Sequence, residues 1–157
     1  IRENLFRTSE NTNALHIYFY EIGRGATPLH VAAMTDAVQS AEWLISKGAN
    51  VNARGAYDHA TPLHFAAWEN QVDVAKALVA GGADLTMKSG HMHQNEPLGW
   101  AIVGGRPKIV QILLDAGARI EPHHREQATA GARGEFTWTN ANADEFRQCA
   151  ELIASHP

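Results

Sequence analysis

Thr61-Pro62-Leu63-His64-Phe65-Ala66-Ala67-Trp68 is not unique in this chain of 157 residues. It recurs as TPLHVAAM from Thr27 and, eroded, as EPLGWAIV from Glu96. The intervals are 34 residues from Pro28 to Pro62 and 35 from Pro62 to Pro97. Self-similarity at a period of about 20 to 50 residues marks a solenoid, in which each unit buries its apolar face only against its neighbours.

The first two units open with Thr27 or Thr61 placed to cap a helix and Pro28 or Pro62 at the first helical position, where its missing N–H costs nothing. A short helix follows, carrying Leu29, Val31, Ala32 and Ala33, then Leu63, Phe65, Ala66 and Ala67. Its alanines let a neighbouring helix approach closely. A longer helix then runs at helical period: Val38, Ala41, Leu44 and Ile45; Val72, Ala75, Leu78 and Val79; Ile109, Val110, Leu113 and Leu114. Glycine followed by alanine ends it each time, at Gly48-Ala49, Gly82-Ala83 and Gly117-Ala118, because glycine adopts the left-handed turn that stops a helix. The stretches NVNARGAYDHA, DLTMKSGHMHQN and RIEPHHREQ are rich in turn formers and suit projecting hairpins.

With two TPLH-x-AA cores and the GA-x-x-N-A signature of Gly48 to Ala53, the pattern resembles the ankyrin repeat across about Gly25 to Ile120. The resemblance implies an all-α repeat solenoid of stacked helix-turn-helix units with projecting β-hairpin loops. The expected ankyrin-repeat domain is 24–157, with repeats at about 25–55, 56–90 and 91–120 and a degenerate capping unit at 121–157. Residues 1–23 stand apart as an N-terminal arm or cap: ALHIYFYEIG alternates in a way that suits a strand. The third unit departs from the pattern, with Glu96 for threonine, Gly99 for histidine and Ile102 for a small alanine, so its turn network must be reorganised. In the tail, NADEFRQCAELIAS aligns as a second helix capped by Asn142 or Asp144, with Phe146, Cys149, Leu152 and Ile153 inward. Residues 121–140 are expected to be an irregular insertion, a kind of segment that is usually functional or mobile.

Composition fits a folded chain, with 45% hydrophobic and 19% charged residues. Apolar runs fall far short of the 18 or so residues of a membrane span, and no basic-then-apolar leader opens the chain. A lone cysteine, Cys149, excludes an internal disulfide framework and suits a reducing compartment, so a cytoplasmic location is expected. Net charge of −4 with mixed signs gives no footprint for nucleic acid or anionic lipid. The start at Ile1 rather than methionine is expected of a processed or partial piece of a longer protein.

The family binds along its hairpin tips and short first helices, which together form a concave groove. Carried over position by position, the helix ends supply Met34 and Thr35, Trp68 and Glu69, and Val103 and Gly104. The tips supply Arg54, Tyr57, Asp58 and His59, then Lys88, His91, Met92 and His93. An exposed tryptophan flanked by methionine, tyrosine and arginine has the composition of an interface centre. The alternative is a Trp68 lying flat to seal the groove. His30 and His64 belong to the packing motif and are expected to bond threonine and the adjoining turn.

Nine histidines raise the question of a metal. His91 and His93 sit in one loop and His123 and His124 begin the next, but no cysteine joins them and adjacent tips in a helix stack lie about 10 Å apart. No metal or other cofactor is therefore expected, and polar tips contacting a partner are preferred. No nucleophile elbow, phosphate-binding loop or H-E-x-x-H pair is present, and Cys149 falls on an inward face. The chain is thus expected not to be an enzyme but to bind a protein or peptide, with no nucleic acid or membrane partner. Two alternatives are a regulatory or targeting fragment of a larger protein and a histidine-rich, metal- or ligand-responsive protein.

Overall fold

A computed structural model describes residues 25–55, 59–90 and 95–156. These hold helices α1 (Pro28–Met34), α2 (Val38–Ser46), α3 (Pro62–Trp68), α4 (Val72–Ala80), α5 (Pro97–Val103), α6 (Pro107–Asp115), α7 (Pro122–Ala132) and α8 (Ala143–Ser155). No strand occurs among the described residues. The first helices of the pairs, α1, α3, α5 and α7, stack in one layer and the second helices, α2, α4, α6 and α8, in another, with each pair also in mutual contact. The all-helical solenoid is as the repeat implied.

The helix ends follow the sequence closely. After α2, Gly48 N–H bonds Ile45 O at 2.9 Å and Ala49 N–H bonds Leu44 O at 3.0 Å. The same pair of bonds recurs after α4 at Gly82 and Ala83 and after α6 at Gly117 and Ala118. At Gly82 the turn demands φ +86°, a value that a β-carbon would strain. Between the layers lies a continuous core of Leu29, Leu63, Leu78, Leu98, Ile109 and Leu113, each no more than 1% exposed, packed with alanines at 0% such as Ala33, Ala66 and Ala101. Small residues bring the helix axes together, and the leucines fill what remains.

The threonine-histidine motif works as a relay between units. Thr61 N–H donates to His64 Nδ1 at 3.0 Å and the Thr61 hydroxyl lies 2.8 Å from the same nitrogen. With Nδ1 accepting, the ring proton sits on Nε2, which donates to Asn95 O at 3.0 Å in the next unit. His30 repeats this with Thr27 and Ala60 O. The imidazole thus bonds the threonine and the adjoining turn as expected, and threonine and histidine together form a capping box at the helix start.

The projecting loops are hairpin-like at their bases: Gly55 N–H bonds Ala60 O at 2.9 Å, and Ser89 N–H bonds Asn95 O at 3.0 Å. The third loop differs from expectation. Residues 121–140 are not an irregular insertion, and RIEPHHREQ is not a projecting hairpin, because Pro122–Ala132 forms α7. Glu121-Pro122-His123-His124 repeats the threonine-proline-x-histidine start: Glu121 N–H donates to His124 Nδ1 at 3.0 Å. Its interval from Pro97 is only 25 residues, since the connection after α6 is shortened to residues 116–121.

The tail forms as read. Asn142 caps α8, its Oδ1 accepting from Asp144 N–H at 2.9 Å and Glu145 N–H at 3.0 Å, while Glu145 Oε2 accepts from Asn142 N–H at 2.8 Å. Phe146, Cys149 and Ile153 are buried and Leu152 half-buried. The arm proposed at 1–23 lies outside the described residues.

Candidate functional site

The last residue of α1, α3 and α5 stands four positions after the motif's histidine site, so it lies on the same buried face. Met34 is accordingly 3% exposed and Val103 9%. Both were expected to line the groove surface, and both instead sit in or beside the core. Trp68 has the same position but remains half-exposed.

Trp68 meets Trp100 edge-on, ring centroids 6.0 Å apart at 77°. Trp100 also contacts Phe65 at 6.0 Å and His64 at 5.3 Å, both edge-on, and Phe65 contacts His30 at 5.9 Å. An aromatic row thus crosses α1, α3 and α5. Its two tryptophans are partly exposed, and Trp100 Nε1–H donates to Ser89 Oγ at 3.1 Å. Trp100 is not among the residues expected to line the groove. The signal was there: it occupies the site of Val31 and Phe65 with the largest side chain of the three.

Beside Trp68, Glu69 is half-buried, and burial pushes its carboxyl up against the opposing pull of Arg106. Arg106 was not singled out in the sequence. Its Nε–H donates to Trp68 O at 3.1 Å and its Nη2 donates to Asn140 Oδ1 at 2.6 Å. One guanidinium therefore ties the end of α3 to the loop before α8.

Of the tip residues, Arg54, His59 and Lys88 are exposed. Arg54 Nη1 donates to Lys88 O at 3.0 Å and lies 3.4 Å from His59 O, linking the bases of two successive loops. Tyr57, Asp58, His91, Met92 and His93 lie outside the described residues.

Glu96 is the centre of a polar cluster. Its Oε1 lies 3.3 Å from Lys88 Nζ, and its Oε2 lies 3.2 Å from His123 Nε2 and 3.3 Å from His124 Nε2. The two imidazoles face each other with centroids 4.0 Å apart. Burial alone would raise the Glu96 carboxyl, but its own backbone N–H, His124 and Lys88 outweigh it and hold the group below the ordinary range. Burial and the neighbouring His123 push His124 down to about 4. The cluster fills the place where the third unit lacks its motif. Asn95 crowds Gly99 so closely that a β-carbon there would meet its side chain at 2.8 Å, and Asn95 Oδ1 accepts from Gln127 Nε2 at 3.2 Å. His123 and His124, expected to start a projecting loop, instead begin α7 beside Glu96.

Cys149 is fully buried, and burial pushes its thiol up to about 12, which leaves it protonated and inert as a nucleophile. No described helix is long and apolar enough to cross a membrane.

A family model of ankyrin repeats, three copies, matches residues 5–89. The match begins inside the segment read as an arm and ends before α5. Among solved structures, the human ASB11 ankyrin repeat domain is similar, with 28% identity and a TM-score of 0.63 over 82% of this chain. The chain spans about half of that one, 53% of its length. The comparison with curated proteins gave no match.

Proposed function

The chain belongs to the ankyrin repeat family, and from that premise we propose that it binds a protein or peptide partner across its layer of first helices, centred on Trp68. Ankyrin repeats are in general protein-binding, non-enzymatic modules. The observation that carries the finer reading is the Trp68–Trp100 pair: two partly exposed indoles held edge-on at 6.0 Å. Tryptophan is the residue most enriched among those whose loss weakens an interface, and a ring fixed by its neighbours loses little rotamer entropy on binding. Glu69, Lys88, Arg54 and His59 supply the polar and charged surround, with Tyr57, Asp58, His91 and His93 as further tip contacts. Met34 and Val103 support the layer from within.

Selection of binders from a displayed random-peptide library tests this. Selected peptides are expected to lose about 30-fold or more in affinity on Trp68→Ala, the size of a hot-spot loss of about 2 kcal/mol. The helical circular dichroism should be unchanged, and Glu151→Ala on the opposite layer should have no effect. Peptides insensitive to Trp68→Ala would place the binding face elsewhere.

A further inference from the structure

We propose that Glu96, His123 and His124 form a site for one divalent transition-metal ion of the zinc class, held between the third and fourth helix pairs. The three side chains each offer a ligand atom, and all three atoms lie within 4.8 Å of one another. Two imidazoles and a carboxylate are a ligand set that zinc takes when one position is left open. The separations from Glu96 Oε2, 3.2 Å to His123 Nε2 and 3.3 Å to His124 Nε2, fit the edge of a tetrahedron. That edge is about 3.3 to 3.4 Å when metal-ligand bonds are about 2.0 to 2.1 Å.

The second observation is the state of His124. Its side chain is 1% exposed, and Nε2 is buried with no aligned hydrogen-bond partner. The equivalent nitrogens of His30 and His64 are each spent on a carbonyl of the next unit. Among the described residues no carbonyl takes that place for His124, which aims its nitrogen at Glu96 instead. The carboxylate reaches it because glutamate stands where the motif has threonine, and because Gly99 withholds the imidazole of its own unit.

The remaining contacts define how the ion would be held. Lys88 occupies Oε1, so Glu96 would ligate through Oε2 alone, and the exposed lysine stem is free to swing away from the added charge. His124 Nδ1 now accepts from Glu121 N–H at 3.0 Å, which places the resting proton on Nε2. Loading moves that proton to Nδ1, which gives up the Glu121 bond, and leaves Nε2 to the metal, so protons compete with the metal and binding weakens as pH falls. His123, half-exposed, marks the side from which the ion enters and where its open position faces solvent.

Isothermal titration of the whole chain with Zn2+ at pH 7.5, with Mg2+ as the hard-cation control, tests the site. One saturable equivalent of Zn2+ and no Mg2+ response are expected. His123→Ala and Glu96→Gln should each weaken Zn2+ by about tenfold or more with the helical signal intact, and Co2+ should give tetrahedral d–d bands that His123→Ala abolishes. No saturable heat, or full affinity in both variants, overturns the proposal and leaves the cluster an ion pair only. Loss of binding in a His91→Ala/His93→Ala double variant, with His123→Ala unaffected, overturns it too by assigning the metal to the other loop.

Discussion

His64 Nε2 donates to the backbone oxygen of Asn95, 31 positions further along the chain, at 3.0 Å. The same ring accepts from Thr61 at its other nitrogen, so one imidazole joins the start of α3 to the base of the next unit. His64→Ala leaves the Thr61 N–H and the Asn95 carbonyl without these partners in buried positions. At about 1 to 3 kcal/mol for each stranded group, a loss of roughly 3 kcal/mol is expected. Urea unfolding should show it as a lower midpoint with an unchanged slope.

Acid should act through the same ring. Burial pushes His64 down to about 4, against about 6.5 for an unfolded histidine. Between these values the unfolded chain takes a proton that the folded chain refuses, so stability is full above pH 6.5 and falls as pH drops towards 4. By pH 5 the loss from His64 is on the order of 2 kcal/mol, and His124, also lowered to about 4, acts in the same direction. Urea midpoints at pH 7.5 and 5.0 should differ accordingly, and His64→Ala should shrink the difference. Equal midpoints in the parent protein would contradict this account.

The contact between α7 and α8 turns on a missing side chain. A β-carbon at Gly131 would lie 2.5 Å from Phe146 Cδ1 and 3.3 Å from Phe136 Cδ2. Gly131→Ala should therefore cost about 1 to 3 kcal/mol by overpacking, despite the better helix propensity of alanine. Adding Phe146→Leu should recover part of that loss. Thermal melts of the single and double variants check both expectations, and an unshifted Gly131→Ala melt would mean that the helices part easily.

The layers, the helix stops and the capped α8 were legible because each rests on a local rule. Proline at a first turn, glycine after a last one and a 3.6-residue stripe need no knowledge of distant partners. The first helix of the fourth unit was missed because two of its four motif letters had changed and its interval had shrunk to 25 residues. Met34 was misplaced for another reason: exposure at the end of a seven-residue helix depends on which neighbour overlies it, and the sequence carries that only as a spacing from His30. Arg106 and Glu96 exert their effect across units, on Trp68 and His124, and such pairs leave no periodic trace.

The short connection at 116–121 has a consequence for anything that lies along the array. Identical units repeat a ligand's surroundings every period, so a partner can shift by one unit and find nearly the same lattice. Among the described residues the repeat is broken over its last two units, where Glu96 and then Glu121 put a carboxylate in place of a hydroxyl and the connection at 116–121 is clipped. A partner that reads that break has only one phase in which to bind.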